Sequence, residues 1–145
     1  MKFKLPIVLY LVILFYAVFL TPARLERGLH FGAVKYNLIP LVNKNYTVTK
    51  KHSFDNLSNT SYIDLLGNIF LFLPFPLLLK RTFSKLQKEF ILLIPILFSV
   101  FIELTQYLTG LGFADVDDVI MNLLGTIIGF ALLLVTKRFK KLLSY

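Results

Sequence analysis

The sequence contains no cysteine and few charged residues. Without cysteine the protein cannot have a disulfide scaffold, a thiolate metal site, covalently attached haem or a cysteine nucleophile, although the cellular compartment stays open. Charged residues make up 17% of the 145 residues and apolar residues 57%, and the mean hydropathy is +0.73. This composition is too apolar for a soluble globular protein or a disordered tail. It predicts a single integral membrane domain over residues 1–145.

Four long apolar segments account for the high hydropathy. They cover about residues 5–20, 63–79, 90–108 and 119–136, and they approach or reach the roughly 20 residues that a spanning helix needs. Their apolar residues are continuous rather than alternating, which favours helices over the strands of a membrane barrel. The sequence therefore predicts an all-α membrane protein, a compact bundle of about four transmembrane helices with a long first extracytoplasmic loop.

The Lys and Arg residues predict how these helices are oriented, because cytoplasmic loops are enriched in both. With the amino terminus in the cytoplasm, most of the sixteen bases lie inside: Lys2, Lys4, Lys80, Arg81, Lys85, Lys88, Lys137, Arg138, Lys140 and Lys141. Both termini are therefore expected in the cytoplasm. The net charge of +8 does not indicate nucleic-acid binding, since bases occur on both sides of the membrane without a recognition motif. The cytoplasmic clusters are expected to lie against anionic lipid head groups.

The first apolar segment has a second interpretation as a secretory signal peptide. It follows the basic residues Lys2 and Lys4 and is followed by small residues around Ala23, as at a cleavage site. Its length and the aromatic residues near its end favour a retained helix.

Polar residues inside the other three segments are the candidate functional residues. A charged side chain near the centre of a bilayer costs about 2.5 to 3.5 kcal/mol on insertion scales, so each one needs a reason. Glu103 lies six residues before Thr109, about 9 Å below the membrane boundary at 1.5 Å per residue. The other candidates are expected at comparable depth in the outer third of the membrane. The predicted pocket consists of Asn68, Glu103, Gln106, Asp115, Asp118 and Asn122.

Three interpretations of these polar residues stay open. The amides could simply hydrogen-bond between helices. The acidic residues that precede the fourth segment could cap its helix and meet the positive end of its dipole. Alternatively, Glu103, Asp115 and Asp118 could bind a divalent cation through their oxygens, and Glu103 and Asp118 would then be the candidate catalytic residues.

Glycine and proline residues indicate how the helices pack. Gly125 and Gly129 form a small-xxx-small motif, which permits close contact with a neighbouring helix in the same chain or in a dimer. Pro74 and Pro76 in the second segment are expected to kink it.

The ordered set of these residues resembles the VanZ-like family of small integral membrane proteins, named after a determinant of teicoplanin resistance. The matching fragments are Asn37-Leu-Ile-Pro40, Gly67-Asn68-Ile-Phe-Leu-Phe-Leu-Pro74, Ile102-Glu103-Leu-Thr-Gln106 and Asp115-Val-Asp-Asp118-Val-Ile-Met-Asn122-Leu-Leu-Gly125. The resemblance extends from about Arg24 to Phe130. It implies that the pocket residues, Pro74 and Gly125 are characteristic family positions, whereas Asp117 is at a more variable one.

The chain departs from the resemblance just before the acidic segment. Many family members carry an Arg there, and this sequence has Leu111 and Gly112. If that Arg contacts a carboxylate or an anionic substrate in relatives, this chain either lacks the contact or supplies a base from the first loop, where Arg24 and Arg27 are the nearest candidates.

Two functional hypotheses follow. In the first, the outward-facing pocket binds a membrane lipid, a lipid-linked cell-wall precursor or the glycopeptide drug, without catalysis, and lowers the effect of teicoplanin-type antibiotics. In the second, the protein is a metal-dependent enzyme that acts on a phosphorylated or glycosylated lipid at the outer leaflet. A transporter or channel is a third class, and so short a bundle would have to form a homo-oligomer to make a pore.

Overall fold

The computed structural model describes residues 4–20, 36–37, 57–110 and 114–143. For residues 37, 57–64 and 137–143 it describes the backbone only. All statements below concern these residues.

The described chain is almost entirely helical. Helix α1 spans Leu5–Phe15 and continues as a π-helical segment, Tyr16–Leu20. Helices α2 (Leu57–Phe72) and α3 (Pro74–Thr82) follow one another directly, and α4 (Lys88–Thr109) and α5 (Val116–Leu143) complete the bundle. Three stretches are long and apolar enough to span a membrane, namely Leu65–Thr82, Lys88–Thr109 and Val116–Thr136, and Leu5–Leu20 is a shorter apolar helix. The expected all-α membrane bundle of about four helices is confirmed.

The break between α2 and α3 coincides with two prolines. Leu73 still donates its N–H to the Ile69 carbonyl at 3.0 Å, so the two helices form one nearly continuous segment. Pro74 and Pro76 have no N–H to continue this pattern. The helical hydrogen-bond pattern is therefore interrupted at the prolines, although Leu73 between the two helices keeps helical dihedral angles.

Helix α5 is the central element of the bundle, in contact with α2, α3 and α4. Gly125 lies against the Ile69 carbonyl and Gly129 against the Leu73 carbonyl, so closely that a Cβ at either position would overlap the oxygen. Gly129 and Leu73 each lie four residues after Gly125 and Ile69, so the contacts advance in the same direction along both segments. Helices α2 and α5 are therefore parallel. The two glycines thus lie at a contact within one chain.

Helix α1 packs on the other side of α3 through apolar and aromatic side chains. Ile7, Leu14 and Val18 join the core formed with Phe72, Phe75, Leu79 and Ile102. Tyr10 contributes its ring to the same core and donates its hydroxyl hydrogen to the Leu71 carbonyl at 2.7 Å. Leu71 lies three residues before Pro74, so the Tyr10 hydroxyl joins α1 to the proline-containing part of the α2–α3 segment.

Large apolar side chains also cover the outside of the bundle. Val12, Phe70, Phe101, Leu108 and Ile127 are all about half exposed or more. Such an apolar surface is compatible with a lipid environment and unusual for a soluble monomer.

A short parallel strand pair was not expected from the sequence. Strand β1 (Tyr36–Asn37) pairs with β2 (Ala114–Asp115), with Tyr36 opposite Ala114 and Asn37 opposite Asp115. The Tyr36 ring meets the Tyr107 ring edge-on at 5.8 Å between centroids. The first loop is therefore attached to the bundle at the start of α5.

Candidate functional site

The polar residues of α4 share one face. Ser99 and Gln106 are buried and lie seven residues apart, and Glu103 is half-buried between them. Residues at this spacing follow one stripe of a helix. The stripe is directed toward α5, because both Ser99 and Glu103 form hydrogen bonds to that helix or to the strand before it.

Glu103 connects α4 to the strand before α5. Its Oε2 atom accepts a hydrogen bond from the Asp115 N–H at 2.7 Å. A hydrogen bond to a carboxylate is stronger than one between neutral groups. Glu103 thereby holds β2, and with it the paired strand β1, against the end of α4.

Asp115 acts as the amino-terminal cap of α5. Its Oδ1 atom accepts a hydrogen bond from the Asp117 N–H at 3.0 Å, and the helix begins at Val116. Asp117 and Asp118 lie in the first helical turn and are buried. Acidic side chains there are stabilised by the free N–H groups and the positive end of the helix dipole. The geometry thus supports the capping interpretation for Asp115.

Asn122 forms a second connection between α4 and α5, deeper in the bundle. Its side-chain amide donates to Ser99 Oγ at 2.9 Å, and its backbone carbonyl accepts from the Thr126 hydroxyl at 2.9 Å. Ser99 lies four residues before Glu103, which is about 6 Å along the helix. Asn122 is therefore about one turn deeper than Glu103, rather than at the same level as the sequence had suggested.

Together these residues form a polar column along the bundle interior. We define the polar column as Asn68, Ser99, Glu103, Gln106, Asp115, Asp118 and Asn122. Asn68 is included because it is buried in α2, one residue before Ile69, whose carbonyl lies against Gly125 of α5. From Gln106 to Ser99 the column extends about 10 Å along α4. It starts at the bundle end that carries β1 and β2.

The column ends near the middle of the bundle. Among the described side chains, no buried polar residue lies in α3, in α4 before Ser99 or in α5 after Thr126. Below the column the α2 and α5 backbones touch at Gly129, and the aromatic core begins with Phe72 and Phe75. Among the described residues, the column thus extends from the end of the bundle that carries β1 and β2 to about the middle of the bundle.

Three amides of the column have hydrogen-bonding atoms without a partner among the described residues. These atoms are Asn68 Nδ2, Gln106 Oε1 and Asn122 Oδ1, each in a side chain at least 94% buried. Burying an amide without a hydrogen bond costs about 1 to 3 kcal/mol in proteins. The column therefore offers both a donor and acceptors to a polar ligand group.

The carboxylates do not form a metal centre in the described part of the chain. No group of three or more Asp, Glu or His side chains there is arranged to hold a metal ion. Glu103 and Asp115 instead accept backbone N–H groups. The three candidate ligands Glu103, Asp115 and Asp118 thus do not fit a three-carboxylate site.

Some sequence expectations concern residues outside those that the structure describes. Arg24 and Arg27, the candidate bases for an anionic contact, lie there, as do Leu111, Gly112 and Leu38 to Pro40.

Thr126 and the strand pair are features that sequence reasoning missed. Thr126 is fully buried, and its spacing of four residues from Asn122 places it on the same helix face. Periodicity could have identified Thr126, but no local signal marks two-residue strands.

Comparison with known proteins identifies relatives of the whole bundle. The family model described as VanZ/LLP1 matches residues 7–137. "Protein VanZ" of Enterococcus faecium is 26% identical over 103 residues, which cover 68% of this chain. The matched part spans 60% of that relative's length. No solved structure matches.

Proposed function

The chain belongs to the VanZ-like (VanZ/LLP1) family of multi-pass membrane proteins, and from this premise we propose that it lowers the susceptibility of a bacterium to teicoplanin-type glycopeptides. The proposed means is the polar column, which binds a lipid, a lipid-linked cell-wall precursor or the drug at the outer face. Binding, rather than chemical turnover, is the proposed activity.

One observation supports binding most directly. The column contains buried amide atoms without partners among the described residues, namely Asn68 Nδ2, Gln106 Oε1 and Asn122 Oδ1. Membrane helices normally satisfy such groups within the bundle. A ligand that enters the column could donate to the two oxygens and accept from the nitrogen.

The closed inner end of the column favours binding over transport. A channel or transporter needs polar groups or a cavity across the whole membrane. Below Thr126 the buried side chains of the described bundle are apolar. In a single chain, the proposed ligand would therefore reach the column from the strand end of the bundle. No polar path through the described residues would lead it on to the opposite membrane surface.

The enzyme hypothesis has weaker support from the geometry. A metal-dependent hydrolase would need several oxygen ligands around one ion, and the described residues contain no group of three such side chains. The Glu103 carboxylate instead accepts the Asp115 N–H, and the Asp115 carboxylate caps α5.

The orientation of the column is part of the proposal. The α3–α4 connection contains Lys85 and is flanked by Arg81 and Lys88, whereas the α4–α5 connection contains Asp115 and no base. The positive-inside rule then places the α3–α4 connection in the cytoplasm and the strand end of the column outside.

Antibiotic susceptibility of matched variants tests this function. A teicoplanin-sensitive bacterium would produce the wild-type chain, Glu103→Gln, Asp118→Asn or Glu89→Gln, with membrane abundance measured for each. Glu89 is the control because it is an exposed acid at the opposite end of α4. We expect protection by wild type and Glu89→Gln, and loss of protection in the two column variants at equal abundance.

Two results would contradict the proposal. Undiminished protection by both column variants would show that the charges of Glu103 and Asp118 are not needed for protection and that these residues have a structural role only. An abundant wild-type chain that gives no protection would separate this protein from glycopeptide resistance altogether.

A further inference from the structure

The connection between α3 and α4 is a short basic turn at the bundle end opposite the polar column. Residues 83–87 link two membrane-length helices, so the turn lies at a membrane surface. Three bases in or beside it are exposed: Arg81, Lys85 and Lys88. Within residues 80–90 the one acidic residue is Glu89.

A fourth base, Lys80, holds this turn in shape. Its ammonium group donates to the carbonyls of Ser84 and Leu86, the second at 2.9 Å. The Leu86 N–H also donates to the Phe83 carbonyl at 3.0 Å. Lys80 is only half-exposed, and its donors are directed to the backbone, so it organises the turn while the other three bases stay exposed.

Aromatic side chains flank the basic turn. Phe83 is 47% exposed and Phe90 is 46% exposed. Exposed apolar rings on a membrane protein offer a surface that lipid acyl chains can contact. The turn therefore presents positive charge and exposed aromatic surface together.

From this arrangement we propose that the α3–α4 turn is a binding site for the phosphate of an anionic phospholipid head group, with Arg81, Lys85 and Lys88 as the contacting bases and Lys80 as a positioning residue. Charge complementarity selects the phosphate. The membrane-boundary position and the two phenylalanines select a lipid over a free anion, because acyl chains can pack beside the rings.

Lipid titration of the full-length chain in detergent, followed by native mass spectrometry, tests the site. The probes are phosphatidylglycerol, phosphatidylcholine and inorganic phosphate. We expect wild type to prefer phosphatidylglycerol, and each of Arg81→Gln, Lys85→Gln and Lys88→Gln to weaken that binding about fivefold. Phosphatidylcholine binding should not change. Inorganic phosphate at the same concentration should not displace the lipid.

Lys4→Gln is the matched control for nonspecific electrostatic attraction between the anionic lipid and the positively charged protein. Lys4 is an exposed base just before α1 and outside the α3–α4 turn, and its removal changes the net charge equally. We expect it to leave phosphatidylglycerol binding unchanged. A loss as large as that of Lys85→Gln, equal binding of both lipids by wild type, or displacement by inorganic phosphate would overturn the proposed site.

Lys80 variants test the positioning role. Lys80→Met removes both hydrogen bonds to the turn, and we expect it to lower phosphatidylglycerol binding while phosphatidylcholine binding and thermal unfolding stay near wild type. Lys80→Arg keeps donors at this position and should restore part of the preference. Unchanged phosphatidylglycerol binding in Lys80→Met would show that Lys80 does not position the binding site.

Discussion

At the scale of single residues, two acidic side chains of the column accept hydrogen bonds from backbone N–H groups, in addition to any role in binding a ligand. Glu103 accepts the Asp115 N–H, and Asp115 accepts the Asp117 N–H. Gln at position 103 could still accept the same N–H through its side-chain oxygen. Glu103→Gln therefore removes the charge while it can retain the contact to Asp115, which makes it the suitable variant for the susceptibility test.

The hydrogen bond between Asn122 and Ser99 provides a residue-scale prediction. Ser99→Ala removes the acceptor of the Asn122 side-chain amide inside the bundle. Hydrogen bonds between membrane helices contribute about 0.6 to 2 kcal/mol, so we expect the free energy of unfolding to fall by about this amount. Reversible unfolding in detergent micelles would measure it.

The control for that prediction is Ser84→Ala. Ser84 is exposed in the α3–α4 turn and contributes its backbone carbonyl, not its hydroxyl, to the bond with Lys80. We expect its stability to match wild type. Equal stability of Ser99→Ala and Ser84→Ala would show that the Asn122–Ser99 bond does not stabilise the bundle.

The sequence identified most of the polar column because its residues are costly in a membrane. Glu103 and Asn122 interrupt apolar runs, and such an interruption needs a structural or functional reason. Their relative depth was less predictable, because it depends on how α4 and α5 are aligned. That alignment is fixed by the Glu103–Asp115 and Ser99–Asn122 pairs, which only the folded bundle reveals.

At the scale of elements, hydropathy predicted which segments are helical more accurately than it predicted where each helix begins and ends. The second apolar segment was expected at 63–79, and helix α2 already begins at Leu57. The fourth was expected at 119–136, and α5 spans Val116–Leu143. Hydropathy indicates where the chain meets lipid, whereas the backbone hydrogen bonds of a helix continue into polar residues beyond it.

The contact between α2 and α5 provides an element-scale prediction. A Cβ at Gly125 or Gly129 would overlap a backbone carbonyl of the facing segment, and neither backbone can move without separating the helices. We expect Gly125→Ala and Gly129→Ala each to lower the free energy of unfolding by about 1 to 3 kcal/mol. Thermal unfolding in detergent and membrane abundance would both report the loss.

Gly67→Ala is the matched control on α2. A Cβ at Gly67 would meet no described atom within 4 Å, and alanine favours the helix more than glycine does. We expect stability equal to or above wild type. A loss at Gly67 as large as that at Gly125 and Gly129 would mean that close contact between α2 and α5 is not the cause.

The strand pair could not be predicted at this scale. Strands β1 and β2 contain two residues each and have no room for an alternating pattern. They are far apart in the sequence, and β2 is held at the end of α4 by the hydrogen bond from the Asp115 N–H to Glu103. A long-range contact of this kind follows from tertiary structure, not from local composition.

At the scale of the whole molecule, the two ends of the bundle have different chemistry. One end contains the strand pair and the polar column, whose carboxylates and amides are largely buried. The other end contains the turn that Lys80 organises and three exposed bases. Composition predicted a membrane bundle and a charge asymmetry, but not the closed inner end of the column, which results from glycine contacts and aromatic packing.

The most direct test of the central proposal is whether the end of the polar column next to β1 and β2 faces the outside of the cell. The chain has no cysteine, so one introduced thiol is the only one that a membrane-impermeant maleimide can label. Thr109→Cys places it at the exposed end of α4 beside the column, and Ser84→Cys places it in the opposite turn.

On intact cells we expect the maleimide to label Thr109→Cys and not Ser84→Cys, with both variants labelled after the membrane is permeabilised. This result would place the column where it can meet a drug or a cell-wall precursor. Labelling of Ser84→Cys alone on intact cells would put the column in the cytoplasm and would contradict the proposed function.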